Sequence, residues 1–286
     1  MTTGRSAGRA PRHDGAMTSF ALTPDGTQLA FDDTGGPGEP VLLVCGQGQD
    51  RHFWRGFAQA LTDTAPGRWR PIALDPRGIG DSDALPPADA GPWQTRDMAH
   101  DLVAVLDALG LPRAHLIGFS LGGRVAQWFA VDHGDRLGAL VLAGTTPGNA
   151  HGVARDPAVS ALLARGDLSA LAATMVPPDW AAAHADALPG LMRSRPIAQP
   201  VLRRYFEASE AHDAWAGLAC VQAPSLVLHG TRDPVNVPDN ARRLAERLPH
   251  AELAWIEGAH HAPFWSHLPD TVQAVSAFLA RHPLPR

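Results

Sequence analysis

A chain of 286 residues can bury one sizeable core, and α/β proteins of this length commonly run as a single body carrying an insertion. Hydrophobic residues make up 45% and charged residues 19%, a balance that argues against both a disordered and a membrane-embedded chain. The 24 basic side chains, all Arg, are scattered and outnumbered by 29 acidic ones for a net charge of −5, so the basic stripe of a nucleic-acid binder is missing.

Residues 1–16 lack the apolar middle of a signal peptide and read as a disordered tail. From Met17 two short strand patterns follow, Thr18 to Leu22 and Gln28 to Asp33. They flank the turn signal Pro24-Asp25-Gly26 and predict a hairpin. Val41 to Cys45 is then a continuous apolar run bounded by Pro and Gly, the pattern of a strand covered on both faces. Similar runs recur at Arg70 to Leu74, Ala114 to Gly118, Leu137 to Ala143 and Ser225 to His229, with a weaker one at Glu252 to Ile256. Between them lie amphipathic stretches such as Asp97 to Leu109, where Met98, Leu102, Val105, Leu106 and Leu109 share one helical face. This alternation predicts an α/β fold with a doubly wound, mostly parallel sheet; no internal repeat or heptad competes with it.

The interval from Thr145 to Gly217 is too long for a connecting loop and carries only helical patterns. Its apolar groups, Leu162-Leu163, Leu168, Leu171, Met175, Val201-Leu202 and Tyr205-Phe206, are broken by Pro177-Pro178, Pro189, Pro196 and Pro200. We read 145–217 as an inserted helical cap and 17–144 with 218–286 as the core; a plain helical extension of the core is the competing reading. No apolar run reaches the roughly 18 residues that span a bilayer, so no membrane partner is expected. Cys45 and Cys220 sit within or beside apolar runs, which fits buried reduced thiols and a cytoplasmic protein better than a disulfide framework.

Gly118-Phe119-Ser120-Leu121-Gly122 has the form of a nucleophile elbow, in which a serine occupies a strained turn between a buried strand and a helix. The context agrees, because a strand pattern ends at Gly118 and a helical one runs from Leu121 to His133, with Val125, Trp128 and Phe129 toward the sheet. A serine hydroxyl needs a base within hydrogen-bond reach and a third group that holds the base. Gly258-Ala259-His260-His261 follows the last strand at the sheet edge where catalytic loops gather, and offers the base. Asp233, on the loop after Ser225 to His229, offers the acid; in isolation an Asp before Pro is more often a turn residue or cap. An oxyanion needs backbone donors, for which the N–H of Leu121 and of Gln47, in the glycine-rich turn Cys45 to Gln49, are the candidates.

With these pieces in place the chain resembles the α/β-hydrolase superfamily over nearly all of its length from Met17. The resemblance rests on Leu43 to Gln47 with Trp54, Asp75-Pro76-Arg77-Gly78-Ile79-Gly80-Asp81-Ser82, the elbow, Leu228 to Asp233, and Gly258 to His261. The branch it is most similar to contains enol-lactonases, cofactor-free haloperoxidase-type esterases and anthracycline methylesterases. The resemblance implies a Ser120, Asp233, His261 triad in the usual chain order, with His261 rather than His260 because it closes a Gly-x-x-His motif. It implies a structural role for Asp75 and Arg77, and neither a metal nor an organic cofactor. Two positions depart from the pattern: Cys45 replaces the usual His before Gly46, and Ser266 stands where an acidic residue often follows the histidine.

The implied reaction is hydrolysis of a carboxylic ester or lactone of a small, partly apolar molecule through an acyl-enzyme. Phe119, Leu121, Met175, Trp180 and Trp215 are candidates for an apolar pocket or for packing alone. The same triad serves acyl transfer or cyclisation where water is excluded. A non-catalytic ligand-binding member of the fold is a third reading, disfavoured by the intact triad.

Overall fold

The sharp turn at Pro24-Asp25-Gly26 depends on its glycine, which takes φ 85°, open to a residue without Cβ. Across it Thr18–Leu22 (β1) and Gln28–Asp33 (β2) pair antiparallel, Thr18 opposite Asp32 and Leu22 opposite Gln28. The computed structural model describes residues 18–83, 92–165, 174–192 and 195–285; the tail expected at 1–16 and the cap positions Leu168 and Leu171 lie outside these.

The apolar runs form Glu39–Val44 (β3), Trp69–Leu74 (β4), Ala114–Phe119 (β5), Leu137–Ala143 (β6), Ser225–Gly230 (β7) and Ala251–Ile256 (β8). They join the hairpin in an eight-stranded sheet of order β1-β2-β4-β3-β5-β6-β7-β8, where β2 opposes its neighbours and every pair from β4 to β8 is parallel. The weak pattern at β8 has a physical cause: it is an edge strand, with Glu252 and Leu253 exposed.

Successive strand residues face opposite sides, so each run supplies two cores. Leu42, Leu116, Leu140 and Val227 pack with Met98, Leu102, Val105 and Val125, while Leu43, Ile117, Val141 and Leu228 pack with Phe57, Leu61, Val275 and Phe278. The helices behind these layers are Arg55–Thr64 (α1), Thr95–Ala108 (α2) and Leu121–Asp132 (α3) in the first half. Between β6 and β7 lie Pro157–Arg165 (α4), Pro178–Ala183 (α5), Leu188–Met192 (α6), Gln199–Glu210 (α7) and Trp215–Leu218 (α8). Asp239–Arg247 (α9), Pro263–Ser266 (α10) and Leu268–Arg281 (α11) complete the chain.

Helix α2 starts at Thr95, two positions before the expected Asp97, because Gln94 and Asp97 form a reciprocal capping box. Pro178 and Pro200, which interrupt the apolar pattern in the sequence, stand in the first turns of α5 and α7, where a missing N–H costs nothing. Helix α7 is tied to the body by Tyr205, fully buried, whose hydroxyl donates to the Arg77 carbonyl at 2.8 Å. Both cysteines are free, and Cys45 is buried as expected. Cys220 is exposed, because it lies on the turn between α8 and β7 rather than in the strand that its apolar neighbours suggested.

Candidate active site

Strand β5 delivers Ser120 to the carboxyl edge of the sheet and α3 begins at the next residue. Ser120 has φ 54° and ψ −117°, and among the described residues it alone combines a side chain with positive φ. Such a backbone is strained and persists only where its surroundings hold it. Here the Ser120 N–H donates to the Ala143 carbonyl at 2.9 Å, and the Thr145 hydroxyl donates to the Ser120 carbonyl at 2.7 Å. The flanking glycines are demanded by close approach: a Cβ on Gly118 would stand 2.4 Å from the Gly122 carbonyl oxygen, and one on Gly122 would stand 2.2 Å from that of Val44.

The loop after β8 brings His261 against this serine. Its Nε2 lies 3.0 Å from Ser120 Oγ and its Nδ1 lies 2.8 Å from Asp233 Oδ2. An ionised carboxylate only accepts, so Nδ1 carries the proton and Nε2 is left to accept from the serine hydroxyl. Asp233, buried on the loop after β7, accepts at its other oxygen from the N–H groups of Val235 and Asn236 at 2.8 and 2.9 Å. Burial pushes this carboxyl up, but the pull of His261 and His229 outweighs it and holds the group below the ordinary carboxylate range. His260 is half-buried and, among the described residues, bonds neither Ser120 nor Asp233.

Gln47 and Leu121 both line the cavity of about 70 Å³ into which Ser120 and His261 open. The turn carrying Gln47 is braced by Gln49, whose Oε1 accepts from the Gly46 N–H at 2.9 Å and whose Nε2 donates to the Leu191 carbonyl of α6 at 3.0 Å. Cys45 contributes to the same turn, its thiol donating to the Gln49 carbonyl at 3.0 Å. Phe119, Leu121 and Met175 line the cavity. Trp180 and Trp215 do not; they stack on His184 and His151, with ring centroids 4.3 and 4.9 Å apart. Asp75 and Arg77 lie apart from this cavity in a buried ion-pair network: Asp75 accepts from the Arg51 guanidinium and Arg77 donates to Asp101. Among the described residues no cluster of His, Cys, Asp and Glu is arranged to hold a metal, and no helix is long and apolar enough to cross a membrane.

Residues 39–268 match the family profile described as the alpha/beta hydrolase fold. The chain belongs to the α/β-hydrolase family. This α/β-hydrolase is 33% identical over 253 residues to the provisionally named carbamate hydrolase RutD of Variovorax paradoxus, covering 85% of the chain and 92% of that protein. It is also 35% identical over 283 residues to part of the polyketide synthase ThaQ of Burkholderia thailandensis, covering 93% of the chain but 13% of the synthase. Among solved structures, a thermophilic esterase of Thermogutta terrifontis matches with TM-score 0.77 and 26% identity, over 93% of this chain and 99% of the esterase. Hydrolytic activity is thus the common ground of the family and of two of these three relatives.

Several residues that build the hydrolase site carry no motif in the sequence. Gln49 ends the glycine-rich turn Cys45 to Gln49, but nothing in its spacing marks a side chain that folds back onto its own loop. Asn236 ties the acid loop to the end of β6, its Nδ2 donating to the Gly144 carbonyl at 2.6 Å. His229, buried at the end of β7, places Nε2 2.6 Å from the Asn236 carbonyl and 3.2 Å from Asp233 Oδ2. A polar residue closing an apolar strand run is the one sequence signal that marks His229. Arg124, the fifth residue of the elbow helix counted from Ser120, also lines the cavity.

Proposed function

We propose that the protein is a serine hydrolase that cleaves a carboxylic ester or lactone of a small, partly apolar molecule through an acyl-enzyme. The observation that carries this reading is the single imidazole of His261 bridging Ser120 Oγ and Asp233 Oδ2. As the Ser120 oxygen attacks the substrate carbonyl carbon, its proton passes to His261 Nε2 and the carbonyl oxygen takes the negative charge. The backbone N–H groups of Gln47 and Leu121 are the donors for that charge, the second at the N-terminus of α3 where helical N–H groups have no partner within the helix. When the C–O bond breaks, His261 returns the proton to the leaving alkoxide. Water, deprotonated by His261 in turn, then attacks the acyl-serine and frees Ser120. Asp233 stays ionised throughout and stabilises the imidazolium. In a lactone the leaving hydroxyl remains attached to the acyl chain, and the same steps open the ring.

We further read 145–217 as a cap, supported by Met175, Phe206, Ser209 and Glu210 of that interval lining the cavity above Ser120. The unpaired cysteines support a reducing, cytoplasmic setting. A panel of esters, lactones and carbamates assayed with the wild type and Ser120→Ala tests the reading: turnover of at least one class, reduced on the order of 10⁴-fold by the substitution, is expected. Comparable turnover in the two proteins would remove the covalent mechanism. A second reading, acyl transfer or cyclisation, is favoured by the likeness to a segment of a polyketide synthase. It predicts that an added alcohol or amine captures the acyl group in preference to water.

A further inference from the structure

The cavity at Ser120 adjoins a second one of about 230 Å³, and both are lined by Arg124, Arg155, Phe206, Glu210, Val235 and Asn236. Arg124 lies one helical turn after the nucleophile on the same face of α3, and helical side chains lean toward the N-terminus, here toward Ser120. It is 3% exposed, so its guanidinium is effectively removed from water. Its hydrogen bonds go to neutral oxygens: the carbonyl of Ser209, the Ser209 hydroxyl at 2.8 Å and the Thr146 hydroxyl at 2.9 Å. Among the described residues no carboxylate forms an ion pair with it. Burial, with repulsion from Arg155, lowers its pKa to about 10 against the weaker attraction of Glu210. Arg155 lines the same space, and its partner Glu210 is 3.7 Å away, where Glu210 also accepts from Asn149 at 2.9 Å.

A buried cation without an anion is costly unless something pairs with it, and a guanidinium is shaped for a carboxylate. The cost recurs at each folding event, so a structural brace between α7 and the loop after β6 would be met more cheaply by a neutral side chain. We propose that Arg124, with Arg155, is an anion-binding subsite that receives a carboxylate carried by the substrate itself, making the substrate an ester or lactone with a free acid about one helical pitch from the reacting carbonyl. This deepens the serine-hydrolase reading and rests on it for the reacting end alone. Glu210 pairs with Arg155 at 3.7 Å and attracts Arg124 from farther off without bonding it, so the Arg124 guanidinium keeps no carboxylate partner while the subsite is empty.

The test compares monomethyl adipate with its neutral isostere methyl 5-carbamoylpentanoate, in the wild type, Arg124→Gln and Arg155→Gln. The wild type should favour the acid in kcat/KM, and that preference should fall roughly 10- to 100-fold in Arg124→Gln, the size expected of charge-assisted hydrogen bonds. Arg155 is less deeply buried, so Arg155→Gln carries the comparison if Arg124→Gln does not fold. Calorimetric binding of adipate, which requires no turnover, reads the subsite separately: adipate should bind the wild type more tightly than adipamide, and both substitutions should erode that difference. If nothing in the ester, lactone and carbamate panel is cleaved but adipate binding follows this pattern, the hydrolase reading fails and the subsite stands. If esters are cleaved with no preference for the acid, or the preference survives both substitutions, the two arginines are structural and the proposal is overturned.

Discussion

Replacing Gln49 by Leu deletes two buried hydrogen bonds while roughly conserving volume. It leaves the Gly46 N–H and the Leu191 carbonyl, both on buried residues, without the partners at 2.9 and 3.0 Å that they now have. A buried group stripped of its partner costs about 1–3 kcal/mol, so the pair should cost roughly 2–4 kcal/mol after partial relaxation. For a domain of this size that corresponds to a fall in Tm of about 5–10 °C. The catalytic consequence is separable from the stability loss. Gly46 precedes Gln47, and under the proposed mechanism a turn released at Gly46 no longer aims the Gln47 N–H at the oxyanion. Removing an oxyanion donor outright costs about 10²- to 10³-fold in kcat, so misdirecting one should cost about 10- to 100-fold, with KM changed far less. Steady-state kinetics well below the variant's Tm, beside thermal unfolding, measure both effects. A variant that loses the expected stability yet keeps kcat within about threefold of wild type would refute the role assigned to Gln47, because an oxyanion donor cannot be displaced at no cost to kcat.

His261→Ala should be about as damaging as Ser120→Ala, since members of one catalytic unit are not additive, whereas Asp233→Asn should lose roughly 10- to 100-fold less. His260→Ala should stay within about tenfold of wild type, and the reverse ranking of the two histidine variants in ester turnover would move the base by one residue. His212 provides a pH test. It is buried between Thr95 and Gln127, its ring nitrogens 2.8 and 3.3 Å from the Thr95 hydroxyl and the Gln127 Oε1. Burial first, and then Arg124, hold its pKa well below 6.5. Below that value the unfolded chain binds a proton that the folded one refuses, so stability contributed by the neutral ring is complete above about pH 6.5 and declines as pH falls. At pH 5.5 the loss approaches at most about 1.4 kcal/mol. Urea unfolding of wild type and His212→Gln between pH 7.5 and 5.5 should show the steeper decline in the wild type; parallel curves would count against a buried neutral His212.

Most of the scaffold is legible in the sequence because covered parallel strands leave continuous apolar runs, and β3 to β7 all appear as such. β8 is faint because an edge strand has one face in water. The elbow is legible for a different reason: Gly118 and Gly122 are forced by backbone oxygens 2.4 and 2.2 Å from where their Cβ atoms would lie, so the motif records a steric constraint. The positions of Asp233 and His261 follow from being on loops at one edge of one sheet. What the sequence conceals is interaction at long range. Gln49 reaches across 142 positions to Leu191, and Arg124 across 85 to Ser209. No local spacing encodes such partners. The exposure of Cys220 is concealed for a related reason, since a neighbouring apolar run marks a strand but not where the preceding turn leaves it.

The central claim is that Ser120 is the residue that becomes acylated, with His261 as its base. Fluorophosphonate labelling followed by peptide mass mapping tests it without knowledge of the natural substrate. The account predicts one phosphonylated site, Ser120, labelled in the wild type and in His260→Ala, absent in Ser120→Ala and slowed by orders of magnitude in His261→Ala. A phosphonate on any other residue, or labelling of Ser120 at an undiminished rate in His261→Ala, would contradict it.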